Sequence, residues 1–363
     1  MTLKLRHVAR YALCVSLYYS GILSLARAIR WARRRPRVVI LAYHSFSDSV
    51  RYLDMAISPS LFTEQLRYLR GSFRTLTVSD FLALGDSATH VRDDVALVTV
   101  DDGYADNFGP LVEAARTHGV PATVYLTTGC IDAGEPTTAM WIMLAIHHAA
   151  AKSIDLPEAG VGPVWIRTPV EKELAIREID KALKLLPPGE RNALMGRLLE
   201  RSGAEALVRQ RARCAMLEWE QVRLMQGAGI EFGAHSLTHP VLSGLEPSAA
   251  RDEIAGSIQR VREMLGVGAV TFAYPFGGHA DVSEDVVRIC KESGATAAVM
   301  LVDGEMPGGD RFRIPRMMVT SDRSTTPLGA FSRAVWACEL EGLVDAVRHF
   351  AASVAGHRGA RGR

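Results

Sequence analysis

Residues 97–103 read Leu-Val-Thr-Val-Asp-Asp-Gly, and residues 235–240 read His-Ser-Leu-Thr-His-Pro. The first stretch is an apolar run of strand length that ends in two adjacent carboxylates and a glycine. The second follows Ile230-Glu231-Phe232-Gly233 and carries two imidazoles four residues apart. One carboxylate with two histidines suits the ligand set of a divalent ion that keeps an open coordination position. A second carboxylate beside that set stands where a base would act on water. Asp-Gly alone also suits a turn or a helix cap. Two of the 11 histidines can fall four apart by chance, so the combination carries the reading. It points to a metal-assisted hydrolase.

Working outward, residues 38–43 (Val-Val-Ile-Leu-Ala-Tyr) form another continuous apolar run, as expected for a strand buried on both faces. Strands are also expected over 95–100, 122–128, 230–234, 270–274 and 295–301. Helices are expected over 59–69 behind a capping Ser58, and over 81–85, 110–118, 219–228, 247–265 and 283–293. Residues 133–215 break the alternation and read as a helical insertion, with helices over 141–151 and 171–186 and a break at Pro187-Pro188-Gly189. Alternating strands and helices imply a parallel sheet with helices outside. His44, Asp101, Asp102, His235 and the Pro275-Phe276-Gly277 turn all follow strand C-terminal ends, the face where (β/α) barrels carry their chemistry.

The composition is that of a globular chain: 363 residues, 48% hydrophobic, 23% charged. A net charge of +2 gives no global field toward nucleic acid, so no nucleic-acid partner is expected. The five cysteines are dispersed and show no CxxC spacing, which excludes a disulfide framework and a zinc knuckle. Residues 1–36 stand apart from the rest. Tyr11 to Ala26 is mostly apolar and leads into Arg27, Arg30, Arg33, Arg34, Arg35 and Arg37. The segment reads as an uncleaved helix lying in an anionic membrane surface. The other two readings are a cleaved secretory signal ending at Ser24-Leu25-Ala26 and a helix packed on the domain. The first places the chain at the inner membrane, the cytoplasmic side favoured over export. Residues 341–363 read as a helix end with a disordered basic tail. Apart from His44, His235 and His239, the histidines (His7, His90, His118, His147, His148, His279, His349 and His357) read as surface or packing residues.

Taken together, these elements resemble the NodB-homology polysaccharide deacetylases, carbohydrate esterase family four. Val98-Thr99-Val100-Asp101-Asp102-Gly103-Tyr104 is similar to that family's first motif, and His235-Ser236-Leu237-Thr238-His239-Pro240 to its second. The resemblance covers about 37–320 and implies an α/β fold, a distorted (β/α)7 barrel within domain 37–340. It implies that Asp101 is the general base and that Asp102, His235 and His239 hold Zn2+ or a similar ion. The backbone N–H of Phe276 would serve the oxyanion, with Pro275 and Tyr104 beside it. Two departures stand out. Ala273 occupies the place of the usual arginine of the third motif, for which Arg316 or Arg313 of Arg-Ile-Pro-Arg is a substitute. No Leu-x-His motif appears near the C-terminus. Instead, Val39 to His44 resembles the first strand of the circularly permuted poly-N-acetylglucosamine deacetylase-like branch, which makes His44 the general acid. The implied activity is N-deacetylation of an amino sugar in a polysaccharide or its lipid-linked precursor. The alternatives are a deformylase of a lipid-linked amino sugar and a catalytically silent glycan-binding barrel.

Overall fold

The computed structural model describes residues 2–48, 55–85, 93–184, 186–304 and 310–347. The expected basic tail from 348 onward, and His90, His349 and His357, lie outside these residues.

Two helices open the chain, α1 (Thr2–Tyr19) and α2 (Ile22–Ala32), with a 63° bend between them. The single helix expected over 11–26 is broken at Gly21, whose φ of 83° suits glycine. Both helices dock on the rest of the chain. Cys14 and Leu23 are buried, Arg10 pairs with Asp322, and Arg27 pairs with Glu341 at 2.7 Å. Arg30 pairs with Asp94 and Glu341, and Arg37 donates to the Leu340 carbonyl. Arg27, Arg30 and Arg37, expected on lipid headgroups, therefore face protein. Among the described residues no single helix is long and apolar enough to cross a membrane; the bent pair meets that test only jointly.

The sheet strands are β1 (Val38–Tyr43), β2 (Arg74–Leu76), β3 (Val95–Val100), β4 (Ala122–Leu126), β7 (Glu231–Ala234), β8 (Phe272–Ala273), β9 (Ala298–Val299) and β10 (Met317–Met318). Their spatial order is β10-β1-β3-β4-β7-β8-β9, with every pairing parallel. A parallel bridge between Val299 and Ile314 joins β9 back to the segment leading into β10 and closes the ring. This is the distorted barrel expected from the sequence. β1, β3 and β4 hold apolar, largely β-branched runs because both of their faces are covered. The far side is the irregular one: the strands expected over 270–274 and 295–301 shrink to two residues each. Pro275, with no N–H to give, helps to end β8.

Outside the ring lie α3 (Pro59–Ser72), α4 (Val78–Ala83), α5 (Phe108–His118), α6 (Thr128–Ala133), α11 (Trp219–Gly227), α12 (Pro247–Leu265), α13 (Glu284–Glu292) and α14 (Arg333–Leu340). The insert holds α7 (Thr138–His148), α8 (Pro169–Leu183), α9 (Pro188–Ser202) and α10 (Glu205–Ala212). It is not wholly helical. β5 (Ser153–Leu156) and β6 (Val161–Trp165) form an antiparallel hairpin within it. The break expected at Pro187-Pro188-Gly189 is also the start of α9, where proline's fixed φ fits the first helical position.

Candidate active site

β3 runs into Asp101 and Asp102, β1 into His44, β7 into His235, and β8 into the Pro275–Gly277 turn. All four strand ends open on one pocket, lined by His44, Asp101, Asp102, His235, His239, Phe276 and others. The backbone there is held in an unusual state. Of the five non-glycine residues with positive φ among the described residues, four are Asp102 (73°), Ser236 (63°), His239 (62°) and Phe276 (60°). Such conformations persist only where the surroundings enforce them.

The enforcing contacts are visible. Glu253 of α12 accepts from the N–H groups of Leu237 and Thr238 at 2.8 and 2.9 Å and from the Thr238 hydroxyl at 2.6 Å. The start of α6 donates through Cys130 N–H to the Leu237 carbonyl. The two segments approach so closely that a Cβ on Gly129 would stand 2.7 Å from that carbonyl oxygen. Asn107, fully buried, donates to the His44 carbonyl at 2.8 Å and fixes the end of β1.

Asp102, His235 and His239 offer three ligand atoms within 4.8 Å of one another. Asp102 Oδ1 lies 3.3 Å from His239 Nε2 and 3.5 Å from His235 Nε2, yet it is buried with no hydrogen-bond partner. His235 Nδ1 is taken by the Ala273 carbonyl at 2.7 Å, which points Nε2 at the cluster. Burial pushes His239 down to about 4, so that ring is neutral and its lone pair is available. This donor set fits a divalent ion.

Asp101 sits beside the cluster. Arg316 clamps it with Nη1–Oδ1 at 2.6 Å and Nη2–Oδ2 at 2.7 Å, and also reaches Thr99 and the Met300 carbonyl. Burial alone would raise the Asp101 carboxyl, but Arg316, His235 and His44 outweigh it and hold it below the usual range. His44 Nε2 lies 4.0 Å from Asp101 Oδ2. Burial lowers the His44 pKa, opposed by Asp102 and Asp101.

The structure thus gathers Asp101, Asp102, His44, His235, His239, Phe276 and Arg316, with Pro275 buried in the turn. It does not bring in two candidates. Arg313 pairs with Asp310 and Glu284 instead. Tyr104 turns its hydroxyl to Thr137 at 2.9 Å and bridges Met216, so it ties the insert to the barrel rather than lining the pocket. Sequence reasoning missed Glu253, Asn107, the insert residue Asp180 at the pocket, and Lys184, which lies over the Phe276 ring. Asn107, four residues beyond Gly103, had a signal in its closeness to the Asp-Asp-Gly run; the others had none.

Residues 190–298 match the family model for polysaccharide deacetylase. That match spans 109 of the 363 residues and includes His235 and His239. Solved structures share the fold of this chain. The deacetylase PplD of Streptococcus pyogenes, solved with acetate, is 15% identical with a TM-score of 0.51, over 81% of this chain and 96% of that one. IcaB from Ammonifex degensii is 19% identical with a TM-score of 0.52, over 83% and 97%. A de-N-acetylase from Aggregatibacter actinomycetemcomitans is 14% identical with a TM-score of 0.50, over 80% and 98%. No curated protein sequence matches the chain.

Proposed function

We propose that this protein is a polysaccharide N-deacetylase that removes the N-acetyl group of an amino sugar by metal-dependent hydrolysis, with zinc held by Asp102, His235 and His239. The observation that carries this is the buried convergence of Asp102 Oδ1 with two imidazole Nε2 atoms beside an arginine-clamped second carboxylate. Asp102, His235 and His239 would hold an ion whose charge, when bound, would polarise an acyl carbonyl and lower the pKa of water. Asp101, kept ionised by Arg316, takes the proton of the attacking water. The Phe276 N–H, which makes no hydrogen bond among the described residues, donates to the developing oxyanion. His44, whose Nε2 lies 4.0 Å from Asp101 Oδ2 at the end of β1, protonates the leaving amine. The test is acetate release from N-acetylglucosamine oligomers by the zinc-loaded protein.

The membrane surface is the second partner we propose, which makes a lipid-linked sugar accessible as substrate. α2 is docked by its charged face and turns Ile22, Leu25 and Ile29 outward, with exposed Tyr19 and Trp31 near its two ends. Arg33, Arg34 and Arg35 follow, all exposed. An outward apolar stripe with interfacial aromatics and arginines suits an anionic lipid surface. Sedimentation with anionic and with neutral vesicles tests this.

A further inference from the structure

The insert reaches the site through α8. Asp180 lines the same pocket as His44, Asp101, Asp102, His235 and His239. One turn later Lys184 carries its Nζ 4.4 Å over the Phe276 ring, and that ring packs 4.9 Å from the His239 ring. Positions 180 and 184 share one helical face, so α8 is registered on the site by both. Asp180 is half-buried, with the Lys184 ammonium as its nearby charge, and among the described residues nothing donates a hydrogen bond to it. Its carboxylate therefore lines the pocket wall with its acceptor capacity unused by the protein. Hydrolysis gives it no task, since Asp101 and Asp102 already hold the two carboxylate positions. A sugar, by contrast, brings hydroxyl donors into the pocket, and an ionised carboxylate is purely an acceptor.

We infer that Asp180 is a specificity residue whose carboxylate accepts a hydrogen bond from a hydroxyl of the amino sugar being deacetylated. The insert thereby selects sugars that are neutral and bear a hydroxyl at that wall, and rejects those with a phosphate or carboxylate in its place. This rests on the deacetylase reading of the site.

The experiment uses the full chain with zinc and the variants Asp180→Ala and Asp180→Asn. Two substrates are compared: N-acetylglucosamine oligomers, and 4-nitrophenyl acetate, which has the acyl group but no sugar. For Asp180→Ala, kcat/KM on the oligomers should fall roughly 10- to 100-fold, mainly through KM. Turnover of the aryl ester and zinc content should stay within about twofold. Asp180→Asn, which keeps an acceptor oxygen, should fall between. Unchanged oligomer kinetics in Asp180→Ala would overturn the assignment, as would an equal loss on both substrates. Calorimetric oligomer affinity makes the same comparison without turnover. Wild type binding at least about tenfold more tightly than Asp180→Ala upholds the role even if no acetate is released, an outcome that would instead contradict the deacetylase reading; equal affinities overturn it.

Discussion

Arg316 and Asp101, 215 positions apart in the chain, form a two-pronged ion pair with both side chains buried. Arg316 precedes the last barrel strand and Asp101 ends the third, so closure of the ring brings them together. In this chain the guanidinium comes from the closing segment, while Ala273 lies buried in the barrel interior with Tyr125 and Ile314.

Removing that arginine leaves a buried carboxylate without its counter-charge. Arg316→Ala should cost about 3–5 kcal/mol of stability, read by chemical denaturation. Arg316→Lys, which keeps the charge and loses the fork, should cost less. The pH profile should move too. Arg316 holds the Asp101 carboxyl below its ordinary value, so the base form survives to lower pH in the wild type. Without Arg316 the pKa rises, and the acid limb of the rate profile shifts to higher pH. An unmoved limb would mean that Asp101 is not the titrating base.

His235→Ala should remove stoichiometric zinc and activity together, because a three-ligand site rarely tolerates the loss of one ligand. Metal analysis of the purified variant checks this. Full occupancy would place the ion elsewhere.

Much of this site was legible from sequence because strand ends announce themselves. An apolar run that stops at Asp101-Asp102-Gly103, and another that stops at His235, place their polar residues on one barrel face whatever the loops do. Arg316 was visible only as one of two candidates; nothing local tells it from Arg313, which folds back three residues to Asp310. The β5–β6 hairpin was missed because its strands are short and β6 contains Gly162 and Pro163. The docking of α1 and α2 was illegible for a different reason. Their arginines find Asp94, Asp322 and Glu341, partners far along the chain, and such pairing leaves no local pattern.

His44→Ala should retain zinc and lose about 10²-fold or more on N-acetyl substrates. The loss should be smaller on an activated aryl acetate, whose leaving group needs no proton. Equal impairment on both would make His44 structural.

The outer face of α2 can be changed without touching its docked face. Replacing Ile22, Leu25 and Ile29 together by serine should abolish sedimentation with anionic vesicles while leaving stability within about 1 kcal/mol, since these side chains are exposed. Deleting residues 1–36 is a poorer test, because it also strips the buried Cys14 and Leu23 and the Arg27–Glu341 pair. Undiminished vesicle binding by the triple variant would exclude this face as the membrane contact.

The most direct measurement is acetate release from N-acetylglucosamine oligomers by wild type and Asp101→Asn, each carrying one equivalent of zinc. Asp101 is placed as base and not as ligand, so the variant should keep its zinc and lose on the order of 10²–10⁴ in rate. Near-wild-type release by zinc-loaded Asp101→Asn would contradict the roles given to the two aspartates.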